Sequence, residues 1–356
     1  VMNLAPDTAI PWVRADWFVE AASRPPLYDL LLRLPDTDAA LERQLMISAA
    51  TDRERYSVMR AGFVQSGVSQ NNRVIERHES PFGAYWRSFD FEDNAGAHNV
   101  LARPLGPGLG AHEFAPSGGE IIFNLPNGLQ AYMLVEGQGR RIAEAPTRIV
   151  HDTTNRGDPT VRNGISCIAC HGMDGLKEKR DEVATAVERG GFPESVRRRA
   201  RAWYAPPERL NAALRDDADR YLTSLRALIP GVEGTYGSSG LPVVTVARQH
   251  ESPVTLASAA AEFGLTSAQL AARLRRSDGT LARVLGPLTT PTQTLPRDAF
   301  ACAFRDMTRE LDPAVSFVPA VSPLASVCAP AAASTAAVLP PARGTGPSLP
   351  GVSAPS

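Results

Sequence analysis

Residues 167–171 read Cys-Ile-Ala-Cys-His, and this string constrains the fold more than any other part of the sequence. A Cys-x-x-Cys-His string is the attachment signature of a c-type haem. The thiols of Cys167 and Cys170 would form thioether bonds to the haem vinyl groups, because two intervening residues let both sulfur atoms reach one face of the ring. The imidazole of His171 would bind the iron from that face. Gly172 adds little bulk where the ring must lie close.

Two other kinds of site use similar residues. A structural zinc ion would need a fourth ligand, and the chain has no second Cys-x-x-Cys and no His-x₃₋₅-His pair. A thiol–disulfide redox pair would be expected after a strand and at the start of a helix. Residues 155–163 are instead polar and contain Gly157 and Pro159, which is typical of a loop. Haem c is therefore the favoured cofactor, and zinc and thiol redox chemistry stay as alternatives.

The chain length predicts more than one domain. Its 356 residues exceed the roughly 250–300 residues at which a single hydrophobic core stops growing. A Gly/Ser-rich break at 234–240 divides a haem-binding domain, residues 1–233, from a small, mainly helical domain, residues 241–328. Residues 329–356 are mostly Ala, Pro, Ser and Gly and predict a disordered tail.

Composition and charge exclude some classes of partner. The formal net charge of −1 argues against nucleic acid, although residues 255–276 superficially resemble a helix-turn-helix. No run of about 18 apolar residues predicts a transmembrane helix. The chain begins with Val1, so either a signal segment has been removed or the sequence is a fragment. Covalent haem attachment predicts export, and an oxidising compartment would permit a disulfide between Cys302 and Cys328.

Hydrophobic patterning predicts an α+β fold. In the first domain, short helices are expected near 26–34 and 39–47, followed by strands and hairpins between 73 and 150. Two apolar runs, 120–123 and 129–135, flank an Asn-Gly pair and predict a hairpin. The Pro/Gly-rich segment 103–119 predicts a long loop that covers the cofactor. Helices are predicted at 177–189, 193–202, 207–229, 255–263, 267–276 and 297–311, and a strand at 242–247.

The second axial ligand of the iron decides between electron transfer and binding of small ligands. His78 is the first candidate because an aromatic stretch follows it, and Met133 on the predicted hairpin is the second. Arg87 is a possible partner for a haem propionate, because a guanidinium group pairs well with a carboxylate. Weaker candidates for the ligand are Met59, His98, His112 and His151. Met173 is too close to His171 in sequence to cross the ring.

Several segments together resemble a family of large bacterial cytochrome c-like proteins with one haem, found in exported and outer-surface settings. The resemblance covers about residues 10–190 and is carried by residues 61–69, 72–78, 85–91, 104–108, 118–132 and 163–171. Members often have His-Asp just before the Gly-Gly-Glu string, where this chain has Pro116 and Ser117. The resemblance therefore favours His78 as the distal ligand. It implies haem and export but no particular reaction.

These observations predict an exported c-type cytochrome with one haem. It would transfer electrons within a membrane-associated or cell-surface assembly, on the periplasmic or extracellular side, with redox proteins or other subunits as partners. The alternative is a structural subunit in which the covalent haem is a stabilising staple. A haem enzyme or gas sensor with an open iron is a third possibility, and an electron carrier is favoured over a catalyst.

Overall fold

A five-stranded antiparallel sheet lies at the centre of the first domain. The computed structural model describes residues 2–3, 12–107, 110, 112–155, 158–232 and 240–312. The strands of the sheet follow one another in chain order, each beside the next. The strands are β1 (Met2–Asn3), β2 (Trp12–Val13), β3 (Met59–Phe63), β4 (Arg73–Ser80), β5 (Gly83–Asp90), β6 (Gly118–Asn124), β7 (Gln130–Glu136), β8 (Glu144–Ala145) and β9 (Val161–Arg162), of which β3–β7 form the central sheet.

Helices surround this sheet and form most of the C-terminal part. They are α1 (Ala15–Ala22), α2 (Leu27–Leu32), α3 (Asp38–Gln44), α4 (Ala49–Glu54), α5 (Ile165–His171), α6 (Val183–Arg189), α7 (Glu194–Trp203), α8 (Pro207–Leu228), α9 (Pro242–Glu251), α10 (Leu256–Glu262), α11 (Ser267–Leu274), α12 (Thr280–Leu285) and α13 (Arg297–Leu311). The predicted α+β class is thus confirmed in its coarse form. α12 was not expected from the sequence.

The predicted hairpin is strands β6 and β7. Ile121 pairs with Met133 and Ile122 pairs with Tyr132, in antiparallel register. The turn between the strands ends at Gly128, whose φ of 83° suits glycine in a tight turn. Because successive side chains on a strand point to opposite faces, this register decides which residues share a face.

The two faces of the sheet carry different cores. The motif face bears Trp86, Ile122, Tyr132 and Leu134, which pack with Cys167 of the motif helix α5 and with Leu210 and Leu214 of α8. The far face has two groups of residues. Val74 and Phe89 pack against α6 and α7, and Tyr85, Ile121 and Met133 pack against α2 and α3. The sheet therefore separates the Cys-x-x-Cys-His motif from everything on the far face.

The structure does not bear out a cover over the motif formed by the whole of residues 103–119, of which Ser117, Gly118 and Gly119 line the space beside the motif. Leu105 and Phe114 are almost fully buried in the far-face core together with Phe89 and Phe91. The Pro/Gly-rich segment thus packs its described apolar residues behind the sheet, away from the motif.

The predicted strand at 242–247 is also wrong, because these residues begin helix α9. Val244 and Ala247 are buried against Ile165 of the motif helix and Tyr221 of α8. Pro242 suits the first turn of a helix, and burial of one helical face outweighs the strand preference of a Val-Val-Thr-Val run.

Residues 254–311 have a hydrophobic core of their own. Val254, Leu270, Leu285 and Phe300 are buried within it and belong to the segments that follow α9. Helix α9 instead packs on α1 of the first domain. The proposed tail, residues 329–356, and Cys328 lie outside the described residues, so the disorder and the Cys302–Cys328 disulfide stay predictions.

Candidate functional site

The Cys-x-x-Cys-His motif forms most of a short helix, α5, that lies on the motif face of the sheet. Strand β9 precedes it, and Gly164 at its N-cap has a φ of 83°. A side chain on Gly164 would collide with the carbonyl oxygen of Ser23 and the ring of Tyr28. Glycine therefore allows α5 to begin at this depth, where Cys167 is buried under the sheet.

A cavity of about 710 Å³ opens beside this helix, within the range of about 300–1,000 Å³ typical of small-molecule and cofactor sites. Cys167, Cys170 and His171 all line it. Its apolar wall is the motif face of the sheet together with the segment that follows β7, and contains Trp86, Ile122, Leu134, Ile142, Ile149 and Val150. The three residues of the motif thus converge on one cavity that is large enough for a cofactor.

The ring of His171 is held in a defined orientation. Its Nδ1 atom lies 3.1 Å from the carbonyl oxygen of Gly175, to which it can donate a hydrogen bond. Gly175 has a φ of 64°, and this left-handed conformation returns the chain towards His171. The His171 ring also stacks on Tyr132, with centroids 6.1 Å apart. In the neutral ring, a bond from Nδ1 to a backbone carbonyl leaves Nε2 as the nitrogen with a free lone pair, which is the arrangement of a metal-binding histidine.

Glu120 brings a carboxylate to the same place. Its Oε2 atom is 3.8 Å from Nε2 of His171. Burial raises the pKa of Glu120, but the interactions with His171 and Cys167 outweigh burial, and the pKa is lowered overall. Burial likewise lowers the pKa of His171, while Glu120 and the Gly175 carbonyl outweigh it and raise that pKa.

The two cysteines have the properties of inert thiols. Neither forms a disulfide. Burial, followed by the charge of Glu120, raises the pKa of Cys170 to about 11 and that of Cys167 well above its usual value. Redox-active cysteines have a lowered pKa, so a thiol–disulfide function is disfavoured, although β9 and α5 do provide a strand before the motif and a helix at it.

The zinc alternative lacks a ligand set in the part of the chain that the structure describes. No three His, Cys, Asp or Glu side chains converge there in a way that could hold a metal ion. A structural zinc site needs four ligands of this kind.

His78 lies on the far face of the sheet and is fully buried there. Its Nδ1 atom is 2.8 Å from Asp52 and its Nε2 atom 2.9 Å from Glu76. Arg53 and Arg60 also bind Glu76. Both ring nitrogens are thus engaged, and the sheet lies between His78 and His171. This placement argues against His78 as an iron ligand.

Met133 and Arg87 also have their side chains on the far face. Met133 is fully buried and packs in the core with Leu41 and Tyr85. The guanidinium group of Arg87 lies 2.6 Å from Asp38 of α3. Because residues alternate between faces, Leu134 lines the cavity and Met133 does not. Met133 therefore does not line the cavity beside the motif, and Arg87 lines it but has its guanidinium group bound to Asp38 on the far face.

Sequence reasoning missed the charged residues that the structure does bring to the cavity. These include Arg73 on β4 and two lysines, Lys177 and Lys179, in the segment after α5. Among the weaker ligand candidates, His151 lines the cavity and is exposed. Met173, which the sequence excluded as a distal ligand, is half-buried and also lines the cavity. Strand alternation along β4 could have assigned Arg73 to the same face as Ile75, but the lysines reach the cavity only through the turn after α5.

Comparisons with known proteins add no relative. No family model, no curated protein and no solved structure matches this chain. Within the described residues, no helix is both long enough and apolar enough to cross a membrane.

Proposed function

We propose that this protein is an exported c-type cytochrome that carries one haem. The haem would be joined to Cys167 and Cys170 through thioether bonds and bound at its iron by Nε2 of His171. The observation that carries the proposal is the convergence of these three side chains on a single cavity of about 710 Å³. The hydrogen bond between Nδ1 of His171 and Gly175 gives further support, because it leaves Nε2 available.

The residues around the cavity suit such a group. Its walls combine aromatic and aliphatic side chains, such as Trp86 and Leu134, with a small number of charged groups. An apolar surrounding and the charges near the iron are what set a haem potential. At the rim, His151 is exposed and the side chain of Arg148 is 67 % exposed. One edge of the cavity thus reaches solvent, where an electron could pass to a partner protein.

We accordingly propose electron transfer as the role of the haem, within a membrane-associated or cell-surface assembly outside the cytoplasm. Covalent attachment keeps a haem from being lost there. The second axial ligand would come from the cavity wall, where His151 is the candidate among the ligands proposed from the sequence.

The test is an absorption spectrum of the protein purified from a host with a haem-attachment system. After denaturation in alkaline pyridine, a c-type haemochrome is expected from the wild type and from Ile168→Val, a control within the motif. Cys167→Ala/Cys170→Ala should lose covalent haem entirely. Wild-type protein without a haem band would reject the proposal. Dithionite followed by CO then separates the roles, since an electron carrier with two axial ligands keeps its reduced spectrum and an open iron does not.

The structural alternative rests on the position of α5. Cys167 belongs to the core on the motif face, while Ile165 belongs to a second core with Tyr221 and Leu241. A group attached to α5 and packed against the sheet would tie these two cores together. If the haem is a structural staple, a variant whose haem iron cannot change its oxidation state should keep full stability and assembly. If the protein is an electron carrier, the same variant should lose its function.

A further inference from the structure

Lysine is rare in this chain, and its two lysines line the same cavity. Of the 37 basic residues, Lys177 and Lys179 are the only lysines, and the others are arginines. Both lysines line the cavity beside the motif, as does Arg73 of β4. A group of three cations therefore faces one end of the site.

The other lysine and arginine side chains that line the cavity form ion pairs, and Lys179 is the exception within the described residues. Among the cations that line it, Arg73 binds Asp90, Lys177 binds Asp174 at 2.9 Å and Arg148 binds Glu92 at 2.7 Å. Arg87 binds Asp38. In the described residues, no carboxylate lies within ion-pair distance of the Lys179 ammonium group, whose nearest aromatic partner is the ring of Phe63 at 5.9 Å.

Lys179 is also held in place. Its backbone N–H donates to the side chain of Asn211 on α8 at 2.9 Å, and its side chain is only partly exposed. Burial, then the charges of Arg73 and Lys177, lowers the pKa of Lys179. An anion bound between these groups would relieve both the loss of hydration and the repulsion between the cations.

We propose that Lys179 forms a carboxylate-binding end of the cavity, where Arg73, which already binds Asp90, and Lys177 add positive charge beside it. This inference rests on the proposed function, in which the carboxylate is a propionate group of the haem. An ammonium group acts here as a point charge that can approach a carboxylate from several directions. Lys179 would thus have the role of propionate partner that the sequence predicted for Arg87, whose guanidinium group binds Asp38 on the far face.

The experiment compares three variants of the full-length haem protein. Lys179→Met removes the charge and keeps the length of the side chain, Lys179→Arg keeps the charge, and Arg148→Gln removes one charge from a cation at the same cavity that already has a partner. For each, the reduction potential is measured by equilibrium titration, and the propionate bending band by resonance Raman spectroscopy. Lys179→Met should shift the propionate band and move the potential to more negative values, because loss of a cation favours the oxidised iron. Lys179→Arg should resemble the wild type, and Arg148→Gln should leave the band in place.

Three results would overturn the subsite. Lys179→Met could leave both readouts unchanged. Alternatively, Lys179→Arg could change the visible spectrum as strongly as Lys179→Met does, which would show that the amine binds the iron itself. Wild-type protein without haem would reject the proposed function and this subsite together, whereas haem-containing protein that is insensitive to Lys179→Met rejects the subsite alone.

Discussion

The two faces of the central sheet carry similar charged residues in different surroundings. On the far face, a buried carboxylate, Glu76, is bound by Arg53 at 2.9 Å and by Arg60 at 2.6 Å, and His78 lies 2.9 Å away. On the motif face, Glu120 faces His171 across 3.8 Å at the edge of a cavity. The far face uses its charges to complete a packed core, and the motif face leaves charged groups facing a space that a ligand can fill.

The charges on the far face therefore contribute to stability, whereas those on the motif face lie beside a cavity. A buried charge is tolerated when its partners surround it, and removal of one partner leaves the others uncompensated. A cavity wall tolerates change better, because its side chains are not packed on every side.

The largest effect is expected from Glu76→Gln. Removal of this charge leaves Arg53 and Arg60 buried without a carboxylate, so the free energy of unfolding should fall by about 3–5 kcal/mol. Denaturant titration followed by circular dichroism measures the loss. Glu92→Gln, at an exposed pair with Arg148, is the control and should change stability by less than about 1 kcal/mol. Equal effects from the two variants would contradict the contrast between the faces.

Acid should weaken the far face through the same residue. Burial raises the pKa of Glu76, but Arg60 and Arg53 outweigh burial and hold it well below its usual value. A lowered folded-state pKa gives stability that is present above the unfolded pKa of about 4.3 and is lost as the pH falls towards the folded value. The wild type should therefore lose stability below about pH 5 more steeply than Glu76→Gln. Parallel pH profiles for the two proteins would show that Glu76 carries none of this dependence.

Two neighbouring isoleucines of β6 give the most direct comparison of the faces. Ile121 is fully buried on the far face, and Ile122 lines the cavity on the motif face. Ile121→Ala should cost about 2–5 kcal/mol, because it creates a hole in a packed core. Ile122→Ala should cost less and should instead change the visible spectrum of the proposed haem. Chemical denaturation and absorption spectra of the two variants test this, and a larger stability loss at Ile122 would reverse the assignment of the faces.

A smaller effect is expected at the turn that holds His171. Gly175→Ala places a side chain at a φ of 64° and brings its Cβ to 3.1 Å from that of Ala218. The strain should cost about 1–2 kcal/mol. Movement of the Gly175 carbonyl should also shift the reduction potential, since the hydrogen bond at Nδ1 tunes the iron ligand. A loss of stability with no change in the reduction potential would show that the turn at Gly175 does not control the orientation of His171.

The smallest effect is expected from Tyr221→Phe. Its hydroxyl donates to the carbonyl oxygen of Gly172 at 2.7 Å, just after the motif. Loss of this bond should lower the free energy of unfolding by about 0.5–1.5 kcal/mol, with no loss of covalent haem. Thermal unfolding together with the pyridine spectrum checks both parts, and reduced haem content would assign Tyr221 a part in attachment.

Local patterns in the sequence predicted several elements well. The Asn-Gly hairpin, helix α8 after Pro207 and helix α13 appear close to their expected positions, because each depends on a turn residue or a periodic pattern within a short window. The strand predicted for residues 242–247 was wrong. Their β-branched run favours a strand locally, and the helix forms because Val244 and Ala247 meet a core built from distant parts of the chain.

The residues of the candidate site divide in the same way. The sequence by itself was enough to propose Cys167, Cys170 and His171, since the spacing of a haem-attachment motif lies within five residues. It also suggested His78 and Met133 as iron ligands and Arg87 as a propionate partner, but it could not show which face of the sheet each would occupy. Only the tertiary structure decided that Lys179 and Arg73 reach the cavity, because strand register and the turn after α5 bring together residues that are about a hundred positions apart.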